Sequence, residues 1–407
     1  MSGAEVATGE ETTFRDAVVT FLDATVPRKG TGARPTGEPV ERARAFQASL
    51  AGAGLAGITW PPEYGGLGLP GRFQRIFERE AAAFELPPRV LEIGLGMVGP
   101  TILVHGSDEQ KRALIPPLLR GEHVWCELFS EPGAGSDLAS VQTRARRDGD
   151  EWVVDGQKVW TSGAQHSDLA ACLARTDPDR PKHEGLTMLV VDMHGPGVTV
   201  APLRQMTGDA QFNQVFLDAV RVPLGSTVGD VDGGWRVART MLGFERQALS
   251  GLGSGGGRGS LSAIAAEATA RGLISHAVVR QRIVDLRARQ MLLRHLTAYL
   301  EARRRAGGGS GGEAAILKLA MARLVQDAAD AAVDIAGPGA VAWDAAERGA
   351  GRWSAQLLNA PSASIGGGTN EIVRNVIAER VLGLPRDVEV DAGVPFRDLR
   401  VGTQRDG

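Results

Sequence analysis

Glu131-Pro132-Gly133-Ala134-Gly135-Ser136-Asp137 is followed in the chain by Lys158-Val159-Trp160-Thr161-Ser162-Gly163. Near the C-terminus stands Gly366-Gly367-Gly368-Thr369-Asn370-Glu371-Ile372-Val373-Arg374-Asn375. Pro132 and the small residues after it make a rigid turn whose backbone can approach a ligand closely. Ser130 and Ser136 add hydroxyls to that turn. Trp160 places an aromatic beside two more hydroxyls, Thr161 and Ser162. A flat redox ring needs what the two segments offer jointly: an aromatic wall, backbone donors and hydroxyls at its polar edge. Taken singly, each segment reads equally well as a surface turn or a strand end.

The chain around these segments changes texture twice. From Glu41 to Gly121 the pattern is helical, and Ser107 with Gln110 forms a capping box ahead of Leu114, Ile115, Leu118 and Leu119. Trp60 to Gly68 is a loop rich in turn formers. From Val124 to Val231 the sequence reads as strands. Trp152-Val153-Val154 and Lys158-Val159-Trp160 flank Asp155-Gly156, which predicts a hairpin. Leu186–Val191, Val198–Leu203 and Gln214–Val222 are further strands. Helices are predicted over Trp235–Leu249, Ser260–Arg271, Val278–Arg305, Glu313–Ile335 and Glu371–Leu382, the last capped by Thr369. The fold class is α+β in series. An N-terminal helical domain covers 1–123, a middle β domain 124–233 and a C-terminal helical bundle 234–407.

At 407 residues the chain is long enough for two or three domains. A net charge of −3 gives no global electrostatic drive toward nucleic acid or anionic membrane. Arg303-Arg304-Arg305 reads as the solvated end of a helix. The two cysteines, Cys126 and Cys172, form no CxxC or Cys/His ligand pattern, and the histidines are scattered. No metal site is expected. No leader peptide and no apolar run of membrane-spanning length is visible, so a reducing, cytoplasmic location is expected. Two pattern matches are set aside. Gly251-x-Gly253-x-x-Gly256 follows no strand, and Gly308-x-Ser310-x-Gly312 lies in a low-complexity stretch.

Taken in order, these pieces resemble the acyl-CoA dehydrogenase family from about Phe46 to Arg386. The match includes the loop Trp60 to Gly68, the turn Glu131 to Asp137, the Trp160 segment, and Arg221-Val222-Pro223 with Gly233-Gly234-Trp235. It ends in Gly367-Gly368-Thr369-Asn370-Glu371-Ile372-x-Arg374-Asn375. The resemblance implies FAD held between the β domain and the helical bundle, and a substrate thioester between the flavin and a carboxylate. By position, Ser130, Ser136, Trp160, Thr161, Ser162, Thr369 and Glu371 are the cofactor-site residues it implies. Ser162 would stand at the flavin N5/O4 edge. Gln281 matches a glutamine that reaches a neighbouring subunit's FAD. Arg271 lacks the usual context of the arginine that does the same.

Removal of the α-proton of a thioester needs a base and a hydrogen-bonded carbonyl oxygen. Many family members carry that base as a glutamate immediately before the Gly-Thr of the C-terminal motif. This chain has Gly367 there, which leaves only a backbone N–H for the carbonyl. The long-chain and isovaleryl branches instead place a glutamate before an arginine on the first helix of the bundle. Phe244-Glu245-Arg246 matches that placement, so Glu245 is the expected base with Arg246 beside it. The plain reading of Glu245-Arg246 is an exposed ion pair, but Met241, Leu242 and Leu249 place this turn near a buried face. Glu371 otherwise reads as a first-turn acid favoured by the helix dipole. The glycines from Gly251 to Gly259 are expected to leave room for a bulky or branched acyl group.

The implied activity is FAD-dependent α,β-dehydrogenation of an acyl-CoA in fatty acid or lipid metabolism. Electrons would pass to an electron-transfer flavoprotein, and the enzyme would be a homo-oligomer, a tetramer. Two alternatives stand beside it. One is a non-catalytic or half-site subunit of a hetero-oligomer with a related chain. The other is a flavin oxidase on the same scaffold.

Overall fold

The computed structural model describes residues 9–31, 36–252, 261–308, 312–342, 351–386, 388 and 391–399; within 247–252 and at 301, 304 and 305 it describes the backbone alone. The chain divides into two compact units. The first comprises Met1–Leu203, Ala210–Phe244 and Gly393–Gly407, and the second Arg204–Asp209 and Glu245–Ala392.

The first unit opens with helices α1 (Gly9–Thr25), α2 (Pro39–Gly52), α3 (Gly71–Ala81), α4 (Gly99–His105) and α5 (Asp108–Leu119). The Ser107 hydroxyl accepts the Gln110 N–H at 3.2 Å, and the Gln110 side chain accepts the Ser107 N–H at 3.1 Å. Two donors of the first turn are thus satisfied reciprocally, and the expected capping box is present. Val18, Leu22, Leu50, Leu55 and Phe84 close an apolar core among these helices.

Strands follow: β1 (Trp125–Leu128), β2 (Arg144–Asp148), β3 (Glu151–Ser162), β4 (Leu169–Arg175), β5 (Leu186–Asp192), β6 (Val198–Leu203), β7 (Phe212–Pro223) and β8 (Thr227–Val228). They form one sheet in the order β6-β7-β3-β2-β4-β5-β8, with β1 pairing β4 in parallel. Trp152, Val154, Cys172, Leu189, Val215 and Val222 fill its core.

One strand connection differs from the sequence expectation. Asp155-Gly156 is not a turn; β3 runs straight through it. The hairpin turns instead at Gly149-Asp150, where Asp148 pairs with Glu151 and Gly149 has φ +62°. Tertiary contacts override the local Asp-Gly signal. The Asp155 carboxylate accepts the Ala219 N–H at 3.0 Å and pairs with Arg144 and Arg146. A Cβ on Gly156 would lie 2.3 Å from the Thr143 hydroxyl, so the glycine marks close backbone approach at a bulge.

The boundary between the units falls inside α6 (Gly234–Leu252), between Phe244 and Glu245. The second unit also holds α7 (Leu261–Ala270), α8 (Ala277–Arg305), α9 (Glu313–Ala336), α10 (Arg352–Asn359) and α11 (Asn370–Arg380). Leu261, Ile264, Leu286, Ile335 and Trp353 form its core. Buried alanines of α9 (Ala322, Ala329, Ala331 and Ala332) bring neighbouring helices close to its backbone. The short helix α10 has no counterpart in the sequence expectation. The other predicted helices of this unit are present to within a few residues at their ends.

Candidate active site

The two signature segments of the β region are joined by an ion pair buried in the first unit. Lys158 is fully buried on β3, and its ammonium lies 2.8 Å from the Glu131 carboxylate. The same ammonium donates to the Phe129 carbonyl at 3.0 Å and the Leu173 carbonyl at 2.7 Å, which uses all three of its protons. Glu131 also accepts the Gln142 N–H at 2.6 Å and the Thr143 N–H at 2.9 Å. Burial pushes the Glu131 carboxyl up, but Lys158 and these N–H groups more than offset it, and the group sits below the ordinary glutamate range. Val159 N–H bonds the Ser130 carbonyl at 2.9 Å, and Glu131 and Ala134 exchange backbone bonds. The turn is therefore rigid, with Ser136 exposed on it and Ser130 half-buried. The serines of this turn are legible in the sequence as hydroxyls; the Glu131–Lys158 pair beneath them is not, although a glutamate in one quoted motif and a lysine in the other are its signal.

Trp160 is the second conspicuous feature. Its φ is +61°, a left-handed conformation that bulky residues rarely adopt, and it sits where the β3–β7 register slips between Lys158 and Thr161. The indole is 58% exposed and meets Phe212 edge-on, with ring centroids 5.8 Å apart. A strained backbone that presents a large aromatic to solvent is a frequent mark of a ligand surface. Ser162 is half-buried, whereas Thr161 is buried. The Thr161 carbonyl accepts from Asn213 at 3.2 Å, and its hydroxyl finds no partner among the described residues. The exposed indole, the neighbouring hydroxyls and the rigid turn fit the edge and face of an isoalloxazine ring.

In the second unit, Glu245 lies on α6 and is half-buried, with Arg246 exposed beside it. Burial raises the Glu245 carboxyl above the ordinary glutamate range. The Arg246 charge opposes this without cancelling it. A carboxyl shifted this way is suited to take a proton from a weak carbon acid.

The C-terminal motif is organised differently from a side-chain site. Gly367 has φ +67° and Gly368 φ +94°, so both occupy backbone conformations that disfavour any side chain. A glutamate at position 367 would be strained, which gives the departure from the commoner family pattern a backbone reason. Thr369 accepts the Ile372 N–H at 3.3 Å and caps α11, as expected. Glu371 is exposed in the first turn and pairs with Arg374 at 3.3 Å. Its carboxyl lies low, first through a backbone N–H bond and then through Thr369 and the Arg374 charge. Lys318 and Ser364 hold Asn370 at 3.2 and 3.0 Å. Gln281 is exposed on α8, as are Val278, Val284 and Leu292. Gly253 to Gly259, expected to make room for the acyl group, lie outside the described residues, as do Gly309, Ser310 and Gly311.

Three family models match the chain in sequence. The acyl-CoA dehydrogenase N-terminal domain matches residues 8–122, the middle domain 126–220 and the C-terminal domain 232–382. The acyl-CoA dehydrogenase FadE34 of Mycobacterium tuberculosis is 41% identical over 84% of this chain, which spans 46% of that relative's length. The acyl-CoA dehydrogenase IpdE1 of the same organism is 38% identical over 86% of this chain and 90% of its own. A solved structure, the Tcur3481-Tcur3483 steroid ACAD, superposes with a TM-score of 0.78 at 30% identity, covering 94% of this chain and 99% of that one. The chain belongs to the acyl-CoA dehydrogenase family and has its three-domain fold: a helical N-terminal domain, a middle β-sheet domain and a helical C-terminal domain. Among the described residues, no helix is long and apolar enough to cross a membrane.

Proposed function

We propose that the chain binds FAD and catalyses α,β-dehydrogenation of an acyl-CoA to the trans-2-enoyl-CoA, with Glu245 as base. The observation that carries this reading is the placement of Glu245, half-buried on α6 directly before Arg246 as in one branch of the family, where burial raises its carboxyl. Glu245 takes the α-proton as the C–H electron pair moves toward the thioester carbonyl. The Gly367 N–H supplies a donor for the oxygen on which charge develops, and Arg246 sets the local potential around the carboxylate. Bound FAD supplies the two-electron acceptor for the β-hydride. Trp160 would cover the ring face, Ser162 would bond its polar edge, and Ser130 and Ser136 would hold the adjoining turn. Thr161 contributes through its backbone, since its side chain is buried. Thr369 and Glu371, which order the start of α11, would be cofactor-site residues as well.

We further propose a bulky acyl group, in keeping with a solved relative named as a steroid ACAD. An activity profile that peaks at short linear acyl-CoAs would count against it. A cytoplasmic location and an electron-transfer flavoprotein as acceptor complete the reading. The exposed stripe of α8 that carries Gln281 supports an oligomer, a homotetramer by family habit. Peroxide release without an added acceptor would point instead to an oxidase.

The second reading, a half-site subunit beside a related chain, draws on Gly367. A backbone that disfavours a side chain at the commoner base position suits a subunit relieved of catalysis as well as one whose base lies elsewhere. Purifying the chain alone decides between the two. A yellow protein bleached anaerobically by an acyl-CoA supports the first reading. A yellow protein that no acyl-CoA bleaches until a related subunit is added supports the second.

A further inference from the structure

The turn that carries Ser136 is also held from the far end of the chain. Residues 393–399 belong to the first unit, although they follow the second in sequence. Pro395 bridges Pro181, Phe396 N–H bonds the Arg180 carbonyl at 2.9 Å, and Arg397 N–H bonds the Pro178 carbonyl at 3.0 Å. Arg397 also pairs with Asp179. This short strap seats Phe396 under the Arg175 guanidinium, 3.7 Å from the ring centroid, with both residues buried.

Arg175 in turn grips the segment that leaves the turn. One of its terminal nitrogens donates to the Ala139 carbonyl at 2.6 Å and the other to the Lys182 carbonyl at 2.9 Å. Its backbone N–H bonds the Thr143 carbonyl at 2.7 Å. Residues 139 and 143 are thus both tied to one arginine, while Glu131 holds Gln142 and Thr143 from the other side. Lys182 reaches the Asp137 carboxylate at 3.3 Å, beside Ser136. Among the described residues the guanidinium Nε finds no acceptor, and burial lowers the Arg175 pKa to about 10 against the pull of Glu131 and Asp177. A desolvated cation with two carbonyls and one aromatic face depends on that face being in place.

We propose that Phe396 and Arg175 are positioning residues. Through them the C-terminal strap sets residues 137–143 and so the turn bearing Ser136. The inference rests on the proposed role of that turn at the cofactor, but the coupling itself is a property of the fold. Purified full-length chain with Phe396→Ala should release FAD about tenfold more readily, with a changed visible circular dichroism band of the flavin. Phe396→Trp, which keeps an aromatic face, should restore both. Arg175→Lys keeps the charge but loses the forked contact to two carbonyls, and should match the alanine variant. If Phe396→Ala does not fold, Phe396→Leu takes its place, since it fills the volume without the ring quadrupole. Hydrogen exchange at the amides of residues 135–141 reads the strap without flavin and should quicken in each weakened variant. Unchanged exchange, flavin affinity and dichroism in Phe396→Ala or Phe396→Leu would overturn the inference. A wild-type protein that holds no FAD would sink the proposed function instead, leaving the exchange experiment to decide the strap.

Discussion

Two glutamates removed from bulk water behave in opposite ways, one beneath the β-region turn and one on α6. Glu131 meets Lys158 and two backbone N–H groups, and its carboxyl lies below the ordinary range. Glu245 is half-buried beside an arginine that only partly offsets desolvation, and its carboxyl lies above the ordinary range. Burial is the largest single influence on both. What separates them is how much fixed positive charge and how many N–H donors face the carboxylate. The saturated group is a rivet, since any proton it gained would cost several bonds. The under-compensated group has a proton affinity that a reaction can use.

The largest expected effect tests the reactive member. Glu245→Gln should keep FAD but slow anaerobic flavin reduction by an acyl-CoA at least about 100-fold, at the low end of the 10²–10⁴ range for a general base. Equal rates in stopped-flow bleaching would remove Glu245 from catalysis.

Next comes the rivet. Lys158→Met leaves Glu131 buried without its cation and should cost about 3–5 kcal/mol of stability, read by urea denaturation. Glu245→Gln should behave in the opposite sense. A glutamate with a raised folded pKa contributes most below its unfolded pKa, and that contribution is lost as pH rises through the folded value. At neutral pH the glutamine should therefore melt no lower than wild type, and a clear drop in Tm would contradict the assigned direction.

pH separates the pair further. Glu131 has a depressed pKa, so its stabilisation is present above the unfolded glutamate pKa and disappears as pH falls through the folded one. Flavin reduction, by contrast, should gain rate as pH rises through the raised pKa of Glu245, giving an acid limb above the ordinary glutamate range. An acid limb that survives in Glu245→Gln would assign it to another group. The smallest effect belongs to Thr369→Ala, which removes the cap of α11 and should cost about 1 kcal/mol.

How far the sequence could be read depends on the range of the forces involved. Ser107 with Gln110 and Thr369 were recognisable as caps because a cap is closed within three or four residues. The hairpin at Asp155-Gly156 was misplaced because its local turn signal competes with Thr143, Arg144 and Ala219, partners distant in sequence. The hydroxyls and Trp160 were visible as chemistry, but not that Thr161 would be buried or that Trp160 would take a left-handed backbone. The Arg175–Phe396 contact spans most of the chain and left no pattern to read.

The family and the succession of a helical region, a β region and a second helical region were determined by the amino-acid sequence itself, through periodicity, capping chemistry and motif order. Which carboxylate is neutralised by partners and which is left basic was decided only by tertiary structure. Proton affinity depends on the dielectric and on charges within a few ångströms, and these are set by residues that the chain brings together only when it folds.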